Sequence, residues 1–164
     1  MPDTAERRRE QLVGVFRQAR TCTRCELSGS RTQVVFGAGN ADADLMLVGE
    51  APGAEEDRQG IPFVGRSGAL LTTMLEEEAG LARDQVFIAN TLKCRPPDNR
   101  DPSTGEIESC RPWLLEQIRL IEPRVVATLG NFATKLLSGD QTGITKVRGC
   151  LLYTSDAADD DYTV

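Results

Sequence analysis

The sequence predicts an α/β domain built on a parallel β-sheet, and three short apolar segments carry this prediction. The segments are Asp44–Gly49, Val86–Asn90 and Arg124–Gly130. Each is rich in apolar residues and ends near a turn, as buried parallel strands do. Helical patterns separate the three segments, and this alternation favours right-handed connections between parallel strands.

The first helix is predicted over Ala5–Arg20 and leads into Cys22. Its apolar residues recur at helical spacing, opposite a basic face. A second helix is predicted to begin at Ser67, which would cap it, and to continue through Ala79 until Gly80 stops it. We expect four apolar side chains of this helix to point inward: Leu70, Leu71, Met74 and Leu75.

Two further helices follow in the C-terminal half. Ser103 and Glu106 form a capping-box pattern at the start of a helix that runs towards Ile121. Pro112 would kink or restart this helix. A short helix is then predicted over 131–139, after the third strand.

Length and composition are those of one globular domain. The chain has 164 residues, enough to bury a core, and 40% of them are apolar. Its longest apolar runs, Leu45–Val48 and Val125–Leu129, are far too short to span a bilayer. The N-terminus, Met1–Glu10, is charged and lacks the apolar core of a signal peptide. We therefore expect a cytoplasmic monomer that makes no membrane contact.

The net charge does not exclude a nucleic-acid partner. It is −6 for the whole chain and −2 without four acids of the last fifteen residues. These acids are Asp156, Asp159, Asp160 and Asp161. An enzyme that binds DNA locally needs a basic face rather than a basic average.

Five cysteines in a cytoplasmic chain indicate ligands or free thiols more than disulfides. Cys22 and Cys25 form a C-x2-C pair, whose two thiolates suit the edge of a metal or cluster site. Cys94 and Cys110 form a C-x15-C pair, which joins the first pair only if the fold brings them together. Spacing alone leaves ordinary buried cysteines, a zinc site and an iron–sulfur cluster open. Cys150 lies in a tail of different composition and is left out of the ligand set.

A candidate binding pocket lies at the carboxyl ends of the predicted strands, where open α/β sheets bind ligands. The turn Gly49-Glu50-Ala51-Pro52-Gly53 exposes backbone groups that can contact the edge of a flat ligand. Phe63, between two glycines, is a possible stacking platform for a base. Asn90 ends the second strand, and its amide suits the edge of a pyrimidine. Taken singly, these are also typical of a plain turn, a core ring and a helix cap.

Together these residues resemble the family 4 uracil-DNA glycosylases, which carry a 4Fe–4S cluster. The resemblance covers about residues 7 to 149 in order. The matching pieces are Cys22-x2-Cys25, Gly49–Asp57, Gly60–Gly65, Asn90–Pro97, Cys110-x2-Trp113 and Gly130–Ala133.

The resemblance implies a three-layer α/β/α sandwich around a four-stranded parallel sheet. It implies a DNA repair enzyme that hydrolytically excises uracil from single- or double-stranded DNA and leaves an abasic site. Glu50, in the loop that positions the attacking water, and Asn90 would be catalytic. Substrate-binding residues would be Gly49, Ala51, Pro52, Gly53, Phe63 and Asn90. The cluster, in a structural role, would be held by Cys22, Cys25, Cys94 and Cys110.

The chain departs from the family at its C-terminal end. The family has a histidine–proline loop after a fourth strand, and its histidine stabilises the departing uracil anion. This chain contains no histidine. We expect an incomplete glycosylase-like domain over 1–149, without that strand and loop, and a non-native, adapter-like tail over 150–164. Little or no excision is expected, which keeps a non-catalytic DNA-binding module and an inactive gene fragment as alternatives.

Overall fold

A four-stranded sheet flanked by helices forms the core of the structure, a computed structural model that describes residues 4–152. Its strands are β1 (Ala38–Gly39), β2 (Leu45–Gly49), β3 (Phe87–Asn90) and β4 (Val125–Thr128), in the order β1-β3-β2-β4. The three predicted strands are confirmed, and β2 pairs in parallel with both β3 and β4. The predicted α/β fold class is therefore confirmed.

The described sheet has one strand that the sequence analysis missed, β1. It pairs antiparallel with β3, so the sheet is mixed rather than wholly parallel. A two-residue strand leaves no periodic signal in a sequence. Gly39 permits the pairing, because a Cβ there would lie 2.0 Å from the carbonyl oxygen of Val86. On the opposite edge, the described part of the chain places no strand beside β4.

Six α-helices surround the sheet within residues 4–152. They are α1 (Thr4–Ala19), α2 (Ala54–Gln59), α3 (Arg66–Glu77), α4 (Thr104–Ile121), α5 (Asn131–Ser138) and α6 (Ile144–Val147). The capping box of α4 is confirmed: the Glu106 N–H donates to Ser103 Oγ at 3.3 Å, and the Ser103 N–H donates to Glu106 Oε2 at 2.9 Å. Pro112 neither ends nor restarts α4, which continues through it.

The predicted details of α3 were partly wrong. Gly65, not Ser67, precedes the helix, and Ser67 lies in its first turn. Leu71 and Leu75 are buried as predicted, but the side chains of Leu70 and Met74 are 62% and 53% exposed. The helix contacts the core through a narrow stripe, and neighbours in sequence are about 100° apart around a helix. Apolar residues beside that stripe therefore face outward.

Helices cover both faces of the sheet. Met46 and Val48 of β2 pack on one side, in a cluster that includes Leu12 of α1 and Leu114 of α4. Leu47 points to the other side and packs with Leu71 and Leu75 of α3. The alternation follows from the two-residue period of a strand. No helix in the described chain is long and apolar enough to cross a membrane. The predicted acidic tail lies outside the described residues from position 153 onward.

Candidate active site and metal centre

A pocket of about 360 Å³ opens at the carboxyl ends of β2 and β3. This volume is large enough for a small flat ligand. Six of its lining residues are those that the sequence singled out: Glu50, Ala51, Pro52, Gly53, Phe63 and Asn90. Six others were not among the predicted site residues: Glu56, Ser67, Pro96, Asn99, Arg100 and Leu129. These residues come from loops and helix starts that carry no ligand pattern of their own.

Gly49, predicted to bind the substrate, is not among the residues that line the pocket. The strand register places it beside Asn90. A Cβ on Gly49 would lie 2.5 Å from Asn90 Oδ1 and 2.5 Å from Cζ of Phe63. The absence of a side chain at this position therefore allows the amide and the ring to approach each other.

Asn90 lines this pocket and carries an unpaired acceptor. The residue is 2% exposed, and its Oδ1 has no hydrogen-bond partner among the described residues. Its backbone carbonyl, by contrast, accepts a hydrogen bond from Lys93 Nζ at 2.8 Å. A buried acceptor without a partner costs about 1–3 kcal/mol, so a ligand that donates a hydrogen bond here is favoured.

Phe63 is held in an unusual backbone conformation. It is half-buried, with φ at +52°, a region that non-glycine residues rarely adopt. The Glu56 carboxylate accepts hydrogen bonds from the two following amides, Val64 N at 3.0 Å and Gly65 N at 2.9 Å. Arg83 donates to the Phe63 carbonyl at 2.6 Å. Glu56 and Arg83 thus hold the backbone that carries the ring.

Glu50 brings a carboxylate to the pocket wall. Burial raises its pKa above the usual range, and the negative charge of Asp101 acts in the same direction. Glu50 therefore takes up a proton at higher pH than a free glutamate does.

The loop after Cys94 forms another part of the rim and is tied to α4. Arg100 lines the pocket and donates to both carboxylate oxygens of Glu106, at 2.6 and 3.0 Å. These hydrogen bonds lower the pKa of Glu106 to about 2. The loop thus has a charged anchor on the helix that carries Cys110.

The four predicted ligand cysteines line a second cavity together. Cys22 and Cys25 are half-buried, whereas Cys94 and Cys110 are buried. Within residues 4–152, no three cysteine, histidine or acidic side chains converge as a single metal ion requires. Cys150 is exposed and does not line the cavity.

The surroundings of the sulfurs suit negatively charged thiolates. Arg31 donates to Cys94 Sγ at 3.3 Å, and the backbone N–H of Lys93 donates to Cys110 Sγ at 3.2 Å. Burial nonetheless raises the pKa of Cys94, and that of Cys110 to about 11. Without a metal the two thiols are therefore neutral at pH 7, and metal binding must release their protons.

Trp113 brings an unpaired donor to the cysteine cavity. Its indole Nε1 is buried without a hydrogen-bond partner among the described residues. The Arg24 guanidinium lies 4.4 Å from the centre of its ring. The two buried side-chain atoms that lack partners in the described structure, Asn90 Oδ1 and Trp113 Nε1, therefore belong to residues of the two cavities.

Lys93 connects the two cavities and was missed by the sequence analysis. Its side chain is buried, and its Nζ donates to the Asn90 carbonyl and, at 2.6 Å, to Gln117 Oε1. Burial lowers the pKa of Lys93 to about 8. Lysine is ordinarily exposed, so only its position between Asn90 and Cys94 could have indicated this role.

Comparisons with known proteins show the family to which the chain belongs. The family model described as the uracil DNA glycosylase superfamily matches residues 36–159. The type-4 uracil-DNA glycosylase of Sulfurisphaera tokodaii is 46% identical over 90% of this chain and 66% of its own length. That of Archaeoglobus fulgidus is 44% identical over 85% of this chain and 72% of its own length. The corresponding values for Thermotoga maritima are 47%, 86% and 74%. The chain thus spans about two thirds to three quarters of these relatives.

Proposed function

Because the chain belongs to the uracil DNA glycosylase superfamily, we propose that it binds uracil in the pocket at the ends of β2 and β3. The base must first be flipped out of DNA, since the reacting bond is inaccessible within a duplex. Hydrolysis of the N-glycosidic bond then releases uracil and leaves an abasic site for repair. The chain spans 66–74% of the length of the relatives compared. Both uracil binding and its excision are therefore proposed for this chain.

The unpaired oxygen of Asn90 is the observation that carries the proposal. Uracil has a donor at N3, whereas cytosine has no hydrogen there. A buried acceptor in a fixed position therefore favours uracil over the base from which it arises. Phe63 lines the same pocket and offers a ring on which a flat base stacks.

The chemistry requires the pocket to stabilise two developing charges. As the bond breaks, the sugar becomes positive and uracil becomes negative, and preorganised groups that face these charges lower the barrier. The ionised Glu50 carboxylate suits the positive sugar and can orient the attacking water. It cannot donate a hydrogen bond to the uracil anion.

The chain contains no histidine. In the family that the sequence resembles, a histidine donates the hydrogen bond that stabilises the uracil anion. Loss of one such donor typically lowers the rate by ~10²–10³. We therefore expect the 164-residue chain to bind uracil but to excise it slowly or not at all.

The cysteine cavity is proposed to hold a 4Fe–4S cluster through Cys22, Cys25, Cys94 and Cys110. A zinc site requires four ligands about 2.0–2.3 Å from one point, whereas these cysteines share a cavity without three of them converging. Ligands of a cluster bind separate irons around a larger core. Arg31, Lys93 and the unpaired Trp113 donor provide the hydrogen-bonding groups that cluster sulfur accepts. When bound, the cluster cross-links the turn after α1, the loop after β3 and α4.

An abasic-site assay tests the proposed reaction. The substrates are two otherwise identical strands that carry one uracil or one cytosine, and the enzymes are the 164-residue chain and a longer chain with the family's histidine–proline loop. We expect abasic sites only from the uracil strand, and rapid formation only with the longer chain. Full activity of the short chain would refute the role assigned to the histidine. Uracil-specific binding without excision by either chain would favour a non-catalytic DNA-binding module.

A further inference from the structure

The conformation of Phe63 requires an explanation beyond its own sequence neighbourhood. A phenylalanine at φ +52° is strained, and such strain persists only where the surrounding structure imposes it. Relaxation to a negative φ would carry the ring to a different position. The ring lies close to Gly49 and thus to the Asn90 amide, so relaxation would separate the two groups that face the base.

Arg83 makes the contacts that oppose this relaxation. It lies in a short helical turn, Arg83–Gln85, which ends one residue before β3 begins. Its guanidinium donates to two consecutive carbonyls, those of Pro62 and Phe63, the latter at 2.6 Å. It also donates to Thr72 Oγ1 of α3 at 3.3 Å. A planar guanidinium can hold two acceptors in fixed geometry, which a lysine ammonium does less well.

Other groups hold the opposite side of the same peptide. Glu56 accepts from the amides that follow Phe63, at 3.0 and 2.9 Å. Gly68 of α3 packs so closely that a Cβ on it would lie 1.9 Å from the Phe63 carbonyl oxygen. The carbonyl that Arg83 binds is therefore closely confined, and it has little freedom to rotate while that contact lasts.

We propose that Arg83 is a positioning residue that holds the Phe63 ring where it stacks on the bound base. Arg83 does not line the pocket, so it acts through Phe63 and not through contact with the ligand. This inference rests on the proposed function, because it assigns the ring a base to stack on. It makes Arg83 important for binding although it lies twenty residues away from Phe63 in the sequence.

A double-mutant cycle tests this coupling in the 164-residue chain. The ligand is a single strand with one 2′-fluoro-deoxyuridine, whose glycosidic bond resists cleavage because fluorine destabilises the cationic sugar. Phe63→Ala is expected to weaken binding ~5–150-fold, the range for loss of one stacked base. Arg83→Met should weaken it comparably in the wild-type background, but by less than about twofold once Phe63 is alanine. Arg83→Lys should lie between Arg83→Met and wild type. Thermal melting of each variant measures stability separately.

The control is Arg119→Met. Arg119 is an exposed arginine on α4 that pairs with Glu116, so this substitution should leave binding unchanged. Equal losses from Arg83→Met in both backgrounds would overturn the positioning role while leaving the pocket assignment intact. No loss from Phe63→Ala would instead refute the stacking platform itself. If Arg83→Met does not fold, Arg83→Lys completes the same cycle, and additivity of Arg83→Lys with Phe63→Ala would overturn the inference equally.

Discussion

One added methyl group at Gly49 should disable the pocket without dismantling the fold. A Cβ at this position would lie 2.5 Å from both Asn90 Oδ1 and Phe63 Cζ. Carbon atoms in contact are about 3.5–4.0 Å apart, so both side chains must move in Gly49→Ala. The substitution therefore displaces the acceptor and the stacking ring together.

The magnitude follows from these two contacts. Loss of one stacked base costs about 1–3 kcal/mol, and an unsatisfied hydrogen-bonding group costs about 1–3 kcal/mol. We expect Gly49→Ala to weaken uracil binding by about 2–6 kcal/mol, or ~30- to ~20,000-fold. Stability should fall less, because the atoms that must move are the ends of two side chains beside a cavity.

The assay measures affinity for the 2′-fluoro-deoxyuridine strand and the free energy of unfolding for each variant. Gly14→Ala is the matched control, since a Cβ on Gly14 of α1 would have no neighbour within 4 Å. Its helical position makes alanine neutral or slightly stabilising. A folded Gly49→Ala variant that binds as tightly as the wild type would refute the placement of the base between Asn90 and Phe63.

Further predictions concern the cluster and the rim. The purified protein should be brown, with iron and sulfide in equal amounts. Cys22→Ala should bleach and destabilise it while Cys150→Ala does neither; zinc without iron after anaerobic purification would contradict the cluster. Glu106→Gln should lower the free energy of unfolding by about 1–2 kcal/mol at pH 7, because the half-exposed partner Arg100 lowers the Glu106 pKa to about 2. This stabilisation is present above the unfolded-state pKa of about 4.3 and is lost as the pH falls towards 2. The free energies of unfolding of the wild type and Glu106→Gln, measured with urea, should therefore converge in acid. A difference between them that does not change with pH would contradict this role of Glu106.

The sequence predicted those parts of the fold whose signal is local. The strands β2, β3 and β4 are short apolar runs, and parallel strands place their carboxyl ends together. For this reason the sequence alone could assign Asn90 and the residues Glu50–Gly53 to one pocket. The capping box of α4 is likewise a pattern of neighbouring residues.

Features that depend on distant contacts left no such signal. Arg83 reaches Phe63 across twenty positions, and no spacing rule connects a guanidinium to backbone carbonyls at that distance. Lys93 is buried because the Asn90 carbonyl and Gln117 Oε1 accept hydrogen bonds from its ammonium group, which composition cannot indicate. The prediction that Met74 points inward was wrong for the opposite reason. An apolar residue at helical spacing still faces outward where only a narrow stripe of the helix contacts the core.

The central claim is that a fixed, unpaired acceptor on Asn90 selects uracil over cytosine. Its most direct test is the ratio of dissociation constants for two strands that differ only in one base, 2′-fluoro-deoxyuridine or 2′-fluoro-deoxycytidine. Binding does not require excision, so the 164-residue chain can be used. We expect uracil to bind at least about tenfold more tightly, since cytosine has no hydrogen at N3 to donate to the buried oxygen, and an acceptor left unpaired costs about 1–3 kcal/mol. Equal affinity for the two strands would contradict the account.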